Sequence, residues 1–229
     1  TGADQLKVMA GGGISSPTSQ MDVPQFTVEE LAAAVYEAKV VKKHCMAHVF
    51  MPEAIINCAK AGILSIEHGI FLDEKSAKAM HENGMYLVPT LTVLQRHLQR
   101  AREGTSPEYM REKVALVGGA AEEAIRIAMA AGVPVASGSD VYGRTAPNKA
   151  WELELKAKIM GPMSSLISAT KTSAELLGIS DQVGTLEKGK LADLIILDFN
   201  PLDDIRFFSE SHHVGMVIQG GRIVKNLSN

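Results

Sequence analysis

Four residues of this sequence have side chains suited to holding a cation or moving a proton, and each stands inside or just after an apolar run. They are Lys7 in Gln5-Leu-Lys-Val-Met-Ala10, His48 in Cys45–Phe50, His68 directly after Ile63–Glu67, and Asp140 in Ser137-Gly-Ser-Asp140. Imidazole nitrogens and carboxylate oxygens ligate zinc-like ions at about 2.0–2.2 Å. A carboxylate beside an activated water can also take up its proton and pass it on. Each residue has a bland reading too. Lys7 reads as a snorkelling edge lysine, His48 as a satisfied polar residue, His68 or its neighbour Glu67 as a partner for an adjacent strand, and Asp140 as a cap for the next segment. Four such residues on four separate strand ends make coincidence a poor account. The other histidines are read as structural. His44 shares the strand of His48 but lies about 13 Å lower at roughly 3.3 Å per residue. His81 and His97 fall in helical or loop segments, and His212-His213 in the tail.

The elements that must position these residues alternate in type. After the opening strand and a loop over 11–24, a helix starts at the capping box Thr27-Val-Glu-Glu30 and carries Leu31, Val35 and Ala38 on one face. Cys45–Phe50 reads as strand, Pro52–Ala59 as helix with proline at a permissible first-turn position, and Ile63–Glu67 as strand. Asp73 caps a helix that stops at Gly84. Tyr86–Leu91 reads as strand, a single long helix is expected from Ser106-Pro107-Glu108 to about Ala131, Val133–Ser137 as a fifth strand, and Trp151–Ile159 and Met163–Leu177 as helices. Strands alternating with helices predict a parallel sheet covered by helices. In barrels of that kind chemistry sits at the carboxyl ends of the strands, which is where the four candidates fall. After Gly178 the pattern turns to β: Ala192–Asp198, Val214–Gln219 and Arg222–Lys225, the last two joined by a Gly220-Gly221 hairpin signal.

Composition narrows the classes. The 229 residues carry 23 Lys+Arg against 26 Asp+Glu, a formal charge of −3, which argues against a mainly electrostatic nucleic-acid binder. With 46% hydrophobic and 21% charged residues the chain is not disordered, and no apolar run approaches the roughly 18 residues that span a bilayer. Cys45 and Cys58 sit in apolar segments and read as reduced core thiols. The chain opens on Thr1, almost inside a core strand, and is therefore expected to be part of something longer. With no basic-then-apolar leader visible, the expected location is cytoplasmic, an upstream signal peptide remaining open.

Taken in order, several segments resemble the amidohydrolase superfamily, in the branch of imidazolonepropionase-like proteins and Xaa-Pro dipeptidases. They are Lys7–Pro17, Ala47-His-Val-Phe50, Ser65–Asp73, Val88-Pro-Thr-Leu91, Ser137–Asp140 and Gly184–Asp198. The resemblance runs from about residue 3 to 226 and covers the carboxyl-terminal half of that family. It implies an α/β fold: a partial (β/α)8 TIM barrel, about strands 4–8, over residues 1–178, with a C-terminal piece of a small β-sandwich over 179–229. By position, Lys7 matches a lysine carbamylated by CO2 to bridge two divalent ions, most readily zinc. His48 and His68 match the histidines that hold the second ion, and Asp140 matches the aspartate that contacts the first ion and shuttles a proton. The implied reaction is hydrolysis of an amide-type C–N bond, in a dipeptide or an N-acyl amino acid, by metal-activated water.

Two departures are visible. The family's first strand supplies a His-x-His pair, which occurs nowhere in this sequence, and Phe50 stands where relatives often carry Tyr. The partner expected for the chain is therefore the missing amino-terminal half of the same barrel, with a small-molecule substrate, no nucleic acid and no membrane; a homo-oligomer stays open. The isolated chain is expected to be a weak catalyst or none. Alternatives are a mononuclear deaminase or cyclic-amide hydrolase with Lys7 as a free amine, and a non-catalytic chain that pairs through its open edge. The Gly13–Phe26, Leu91–Thr105 and Val141–Lys149 loops are expected to line the mouth. Arg96, Arg100, Arg102 and Arg144 are candidates for a substrate carboxylate, although a solvated loop charge is the favoured reading for each.

Overall fold

The computed structural model describes residues 2–143 and 149–227. It divides into two compact units, Thr1–Val135 and Ala136–Asn229.

The first unit is built on a four-stranded parallel sheet in the order β1 (Gln5–Met9), β2 (His44–Val49), β3 (Ser65–His68), β4 (Tyr86–Val88). Sequential parallel neighbours require a crossover after each strand, supplied by α1 (Val28–Val40), α2 (Pro52–Ala61) and α3 (Glu74–Glu82). Their ends are written locally. At α1 the Thr27 hydroxyl accepts from Glu30 N–H while the Glu30 carboxylate accepts from Thr27 N–H, the reciprocal capping box read from the sequence. Asp73 caps α3 through Ser76 N–H at 2.7 Å. Leu31, Val35 and Ala38 of α1 face inward with Ile55 and Cys58 of α2, and the thiols of Cys45 and Cys58 are free and buried. Burial pushes those thiols up, to about 11 and about 12, so they pack as apolar groups.

Four expectations are corrected here. The Leu91–Thr105 segment is not a loop: α4 spans Leu91–Arg102 and buries Leu91, Thr92 and Leu94. The single long helix is two, α5 (Glu108–Val117) and α6 (Ala120–Ala130), because Gly118 takes φ 39°, ψ −126°, a conformation that no side-chain-bearing residue adopts easily. The fifth strand shrinks to one parallel bridge, Leu87 to Val135. Finally, β1 is not buried. Among the described residues it pairs only with β2, and Leu6 and Met9 are 37% and 46% exposed, as befits a strand with one neighbour.

The second unit holds α7 (Trp151–Met160), α8 (Pro162–Ala169), α9 (Lys171–Leu176) and an antiparallel sheet β5 (Leu194–Leu197), β6 (Val214–Gln219), β7 (Arg222–Asn226). Gly220 and Gly221 turn β6 into β7 with φ 55° and 77°, the two positive values that a tight hairpin demands. A short 3-10 turn, Ile205–Ser209, and another, Ser211–His213, precede β6. No helix among the described residues is long and apolar enough to cross a membrane.

Candidate active site

Register explains how one face of the parallel sheet collects polar groups. Met9, His48 and Glu67 are consecutive partners across β1, β2 and β3, and Lys7, Met46 and Ser65 form the row two residues earlier. Residues in register on parallel strands, and residues two apart on one strand, share a face. Lys7, His48, Ser65 and Glu67 therefore lie on one face, with the Ser65 hydroxyl donating to Glu67 Oε1 at 2.7 Å.

His68 breaks this alternation. Its register partner is Val49, so an ordinary strand conformation would turn it to the helix-covered side. Instead its φ is +74°, a left-handed value unusual for a residue with a side chain. The ring lies edge-on to that of His48, with centroids 4.5 Å apart. Phe50 closes one side, its ring 4.8 Å from His48 and 5.4 Å from His68.

Both imidazoles are fixed from outside the pair. His68 Nδ1 shares a 2.6 Å hydrogen bond with the Thr90 hydroxyl, and Thr90 is itself left-handed at φ +50°. His48 Nε2 makes a long 3.4 Å contact with Gly12 O. The loop carrying Gly12 is held against the ring with little slack. A Cβ at Gly13 would stand 3.2 Å from His48 Nε2, and one at Gly12 would stand 2.0 Å from Gln20 O. The Lys113 ammonium anchors that loop by donating to the carbonyls of Gly13, Ser16 and Ser19 at 3.0, 2.6 and 2.6 Å.

Electrostatics keep the pair neutral. Burial is the main cause that pushes His48 down to about 4, with Lys7 adding repulsion against the Gly12 carbonyl's opposing pull. Burial likewise drives His68 well below the ordinary histidine range, reinforced by His48, Lys7 and His97. Neutral imidazoles at physiological pH carry available nitrogen lone pairs, the form a metal ion requires. The structure thus brings His48 and His68 together, with Lys7 close enough to act on both. Asp140 belongs to the second unit, exposed and left-handed at φ +51°.

His97, read as structural, sits on α4 within electrostatic reach of His68. Its signal was the helical spacing from Leu91 and Leu94, masked by the polar run around it. Arg100 turns back to donate to Thr105 O at 3.3 Å, and Arg102 is exposed at the same helix end. Arg144 lies outside the described residues.

The amidohydrolase family model matches residues 1–224. This chain belongs to the amidohydrolase family. It is 34% identical over 229 residues to ochratoxinase of Aspergillus niger, covering 98% of this chain and 47% of that protein. Among solved structures, a prolidase complexed with N-methylphosphonate-L-proline matches with a TM-score of 0.93 at 36% identity, over 98% of this chain and 55% of the other. A Xaa-Pro dipeptidase with methionine bound in its active site matches with a TM-score of 0.92 at 35% identity, again over 98% and 55%. This family member therefore spans about half the length of the relatives it matches.

Proposed function

We propose that this chain is the carboxyl-terminal half of a metal-dependent amidohydrolase that cleaves an amide-type C–N bond, in a dipeptide or an N-acyl amino acid. The observation that carries the reading is the pair of buried, neutral imidazoles of His48 and His68, in ring contact at the carboxyl ends of adjacent parallel strands. That donor set fits a zinc-class ion. The prolidase and ochratoxinase relatives support the substrate class. On this reading residues 1–178 form barrel strands 4–8 and 179–229 belong to a small β-sandwich. The missing strands and the His-x-His pair come from an amino-terminal half outside this sequence.

Two divalent ions, when bound, would activate water and polarise the scissile carbonyl. The chain's own residues do the rest. His48 and His68 offer nitrogen lone pairs, and Thr90 fixes the ring of His68 through its other nitrogen. Lys7, on the same sheet face, would supply a carboxylate-like ligand if carbamylated by CO2. Asp140, which matches the family's proton-shuttling aspartate, would be the carboxylate that takes up a proton and gives it to the leaving amine. Phe50 keeps one wall of the pair apolar.

The test is metal analysis and dipeptide hydrolysis, with Xaa-Pro and N-acyl substrates, on the chain alone and co-expressed with the amino-terminal half. Two ions per complete site and activity only in the co-expressed form support the reading. One ion per complete site would favour a mononuclear relative, and hydrolysis by the lone chain at ordinary enzyme rates would refute the split site.

A further inference from the structure

The second unit carries another histidine pair, made of residues other than the set assigned above. We infer that Glu210, His212 and His213 form a separate binding site for a divalent transition-metal ion of the zinc class. A single carboxylate oxygen, Glu210 Oε2, faces the Nε2 atoms of both histidines, at 3.5 Å from His212 and 3.7 Å from His213. One donor atom from each of the three residues lies within 4.8 Å of the other two. Ligands around a tetrahedral ion at 2.0–2.1 Å stand about 3.3–3.4 Å apart. Side-chain shifts of well under 1 Å would thus bring the two carboxylate–imidazole pairs to ligand spacing.

The second nitrogen of His213 is already committed. Its Nδ1 lies 2.9 Å from Asp198 Oδ1, so the carboxylate accepts from Nδ1–H and the lone pair is on Nε2, the atom that faces Glu210. A carboxylate behind a ligating imidazole is the usual outer support of a zinc histidine. Backbone pairing holds the same two residues together, since Asp198 N–H donates to His213 O at 3.2 Å. The His213 ring also packs on Phe207, with centroids 4.6 Å apart, and edge-on to Phe199 at 5.8 Å, which leaves it little freedom to swing away. Two imidazoles and one carboxylate, with at least one coordination position left for water, suit zinc or copper rather than calcium or magnesium.

The experiment titrates the chelator-stripped chain with Zn2+ by calorimetry. In a His48→Ala/His68→Ala background, which removes the other imidazole pair, one Zn2+ per chain is expected to bind still. His212→Ala or Glu210→Gln added to that background should abolish it, and Asp198→Asn should weaken it by about 10–100-fold. In the otherwise unaltered chain, His212→Ala should lower the zinc count by one with the far-UV circular dichroism unchanged, a readout independent of how the double variant folds. A count unaffected by both His212→Ala and Glu210→Gln would overturn the site and leave the three residues as surface ion pairs.

Discussion

Both units bury titratable side chains, and they deal with the charge in opposite ways. In the parallel-sheet unit, His48 and His68 surrender it: burial pushes both below neutral pH. In the second unit, Lys156 is fully buried on α7 one turn after Glu152, which is 1% exposed, and its pKa falls only to about 8. It stays an ammonium at neutral pH, attracted by Glu152 and donating to the Ser168 hydroxyl. Ser168 in turn donates to Ser165 O, and Ser165 to Leu153 O, both at 2.7 Å. A buried charge survives only when paired and hydrogen-bonded. The lysine spends its charge on Glu152 and Ser168, whereas the neutral histidine rings are each tied through one nitrogen, His48 Nε2 to Gly12 O and His68 Nδ1 to the Thr90 hydroxyl. Burial of ionisable groups does not by itself mark a reactive site; unspent donor capacity does.

The comparison breaks first at Lys156. Lys156→Met removes the cation that attracts Glu152 and donates to Ser168, so urea denaturation should show a loss of about 3–5 kcal/mol. Adding Glu152→Leu should restore stability to within about 1 kcal/mol of the parent, because the pair as a whole contributes little beyond its own desolvation. A Lys156→Met chain as stable as the parent would mean that the ammonium contributes nothing to the fold.

The next test uses pH. Lys156 titrates near 8 when folded and near 10.5 when unfolded, so between those values the unfolded chain binds more protons and stability rises with pH. The gain should reach about 3 kcal/mol by pH 10.5 and vanish in the Lys156→Met/Glu152→Leu variant. His48 follows the same sign in a different window. The metal-free chain should lose stability as pH falls from 6.5 to about 4, where the unfolded imidazole protonates and the folded one resists.

A smaller effect separates the two units by packing. Gly12→Ala places a Cβ 2.0 Å from Gln20 O, so the loop against His48 must shift, at about 1–3 kcal/mol and with weaker metal retention. Gly215→Ala on β6 meets only Ile196 O at 3.6 Å and should change stability by less than about 0.5 kcal/mol. Thermal melts of the two variants decide it, and equal shifts would show that the Gly12 loop yields freely.

Much of the scaffold was legible because its signals are local. Thr27 with Glu30, Asp73 and Gly220-Gly221 each fix a terminus or a turn within a few residues. Strand-end position brought out His48 and His68 on the same reasoning. What escaped depends on partners distant in sequence or on backbone conformation. β1 looks buried from its residues, yet has one neighbour. Period-two alternation turns His68 away from His48, and only its left-handed φ brings the rings together. His97 hides in a polar run that reads as loop until α4 is seen to bury Leu91 and Leu94. His212 and His213 carry no periodic signal at all, and Glu210 and Asp198 meet them through the tail's fold.

The finest test concerns Thr90, where strain and function share one residue. A β-branched residue at φ +50° costs about 1–2 kcal/mol, and Thr90 keeps it while its hydroxyl holds His68 Nδ1. Thr90→Gly relieves that strain but loses a hydrogen bond worth about 0.5–1.5 kcal/mol and adds about 0.5–1 kcal/mol of unfolded-state entropy. The terms nearly cancel, so stability should move by only about 0.5 kcal/mol. Metal affinity should still fall about 10–100-fold, because the ring of His68 is no longer oriented. Thr90→Ser keeps the hydroxyl and should keep the affinity. A Thr90→Gly chain that binds metal as tightly as the parent would mean that Phe50 and His48 alone aim the ring. Thr90 is not among the residues that Lys156, Ser168 and Ser165 bond to, so the substitution separates the positioned site from the merely satisfied one.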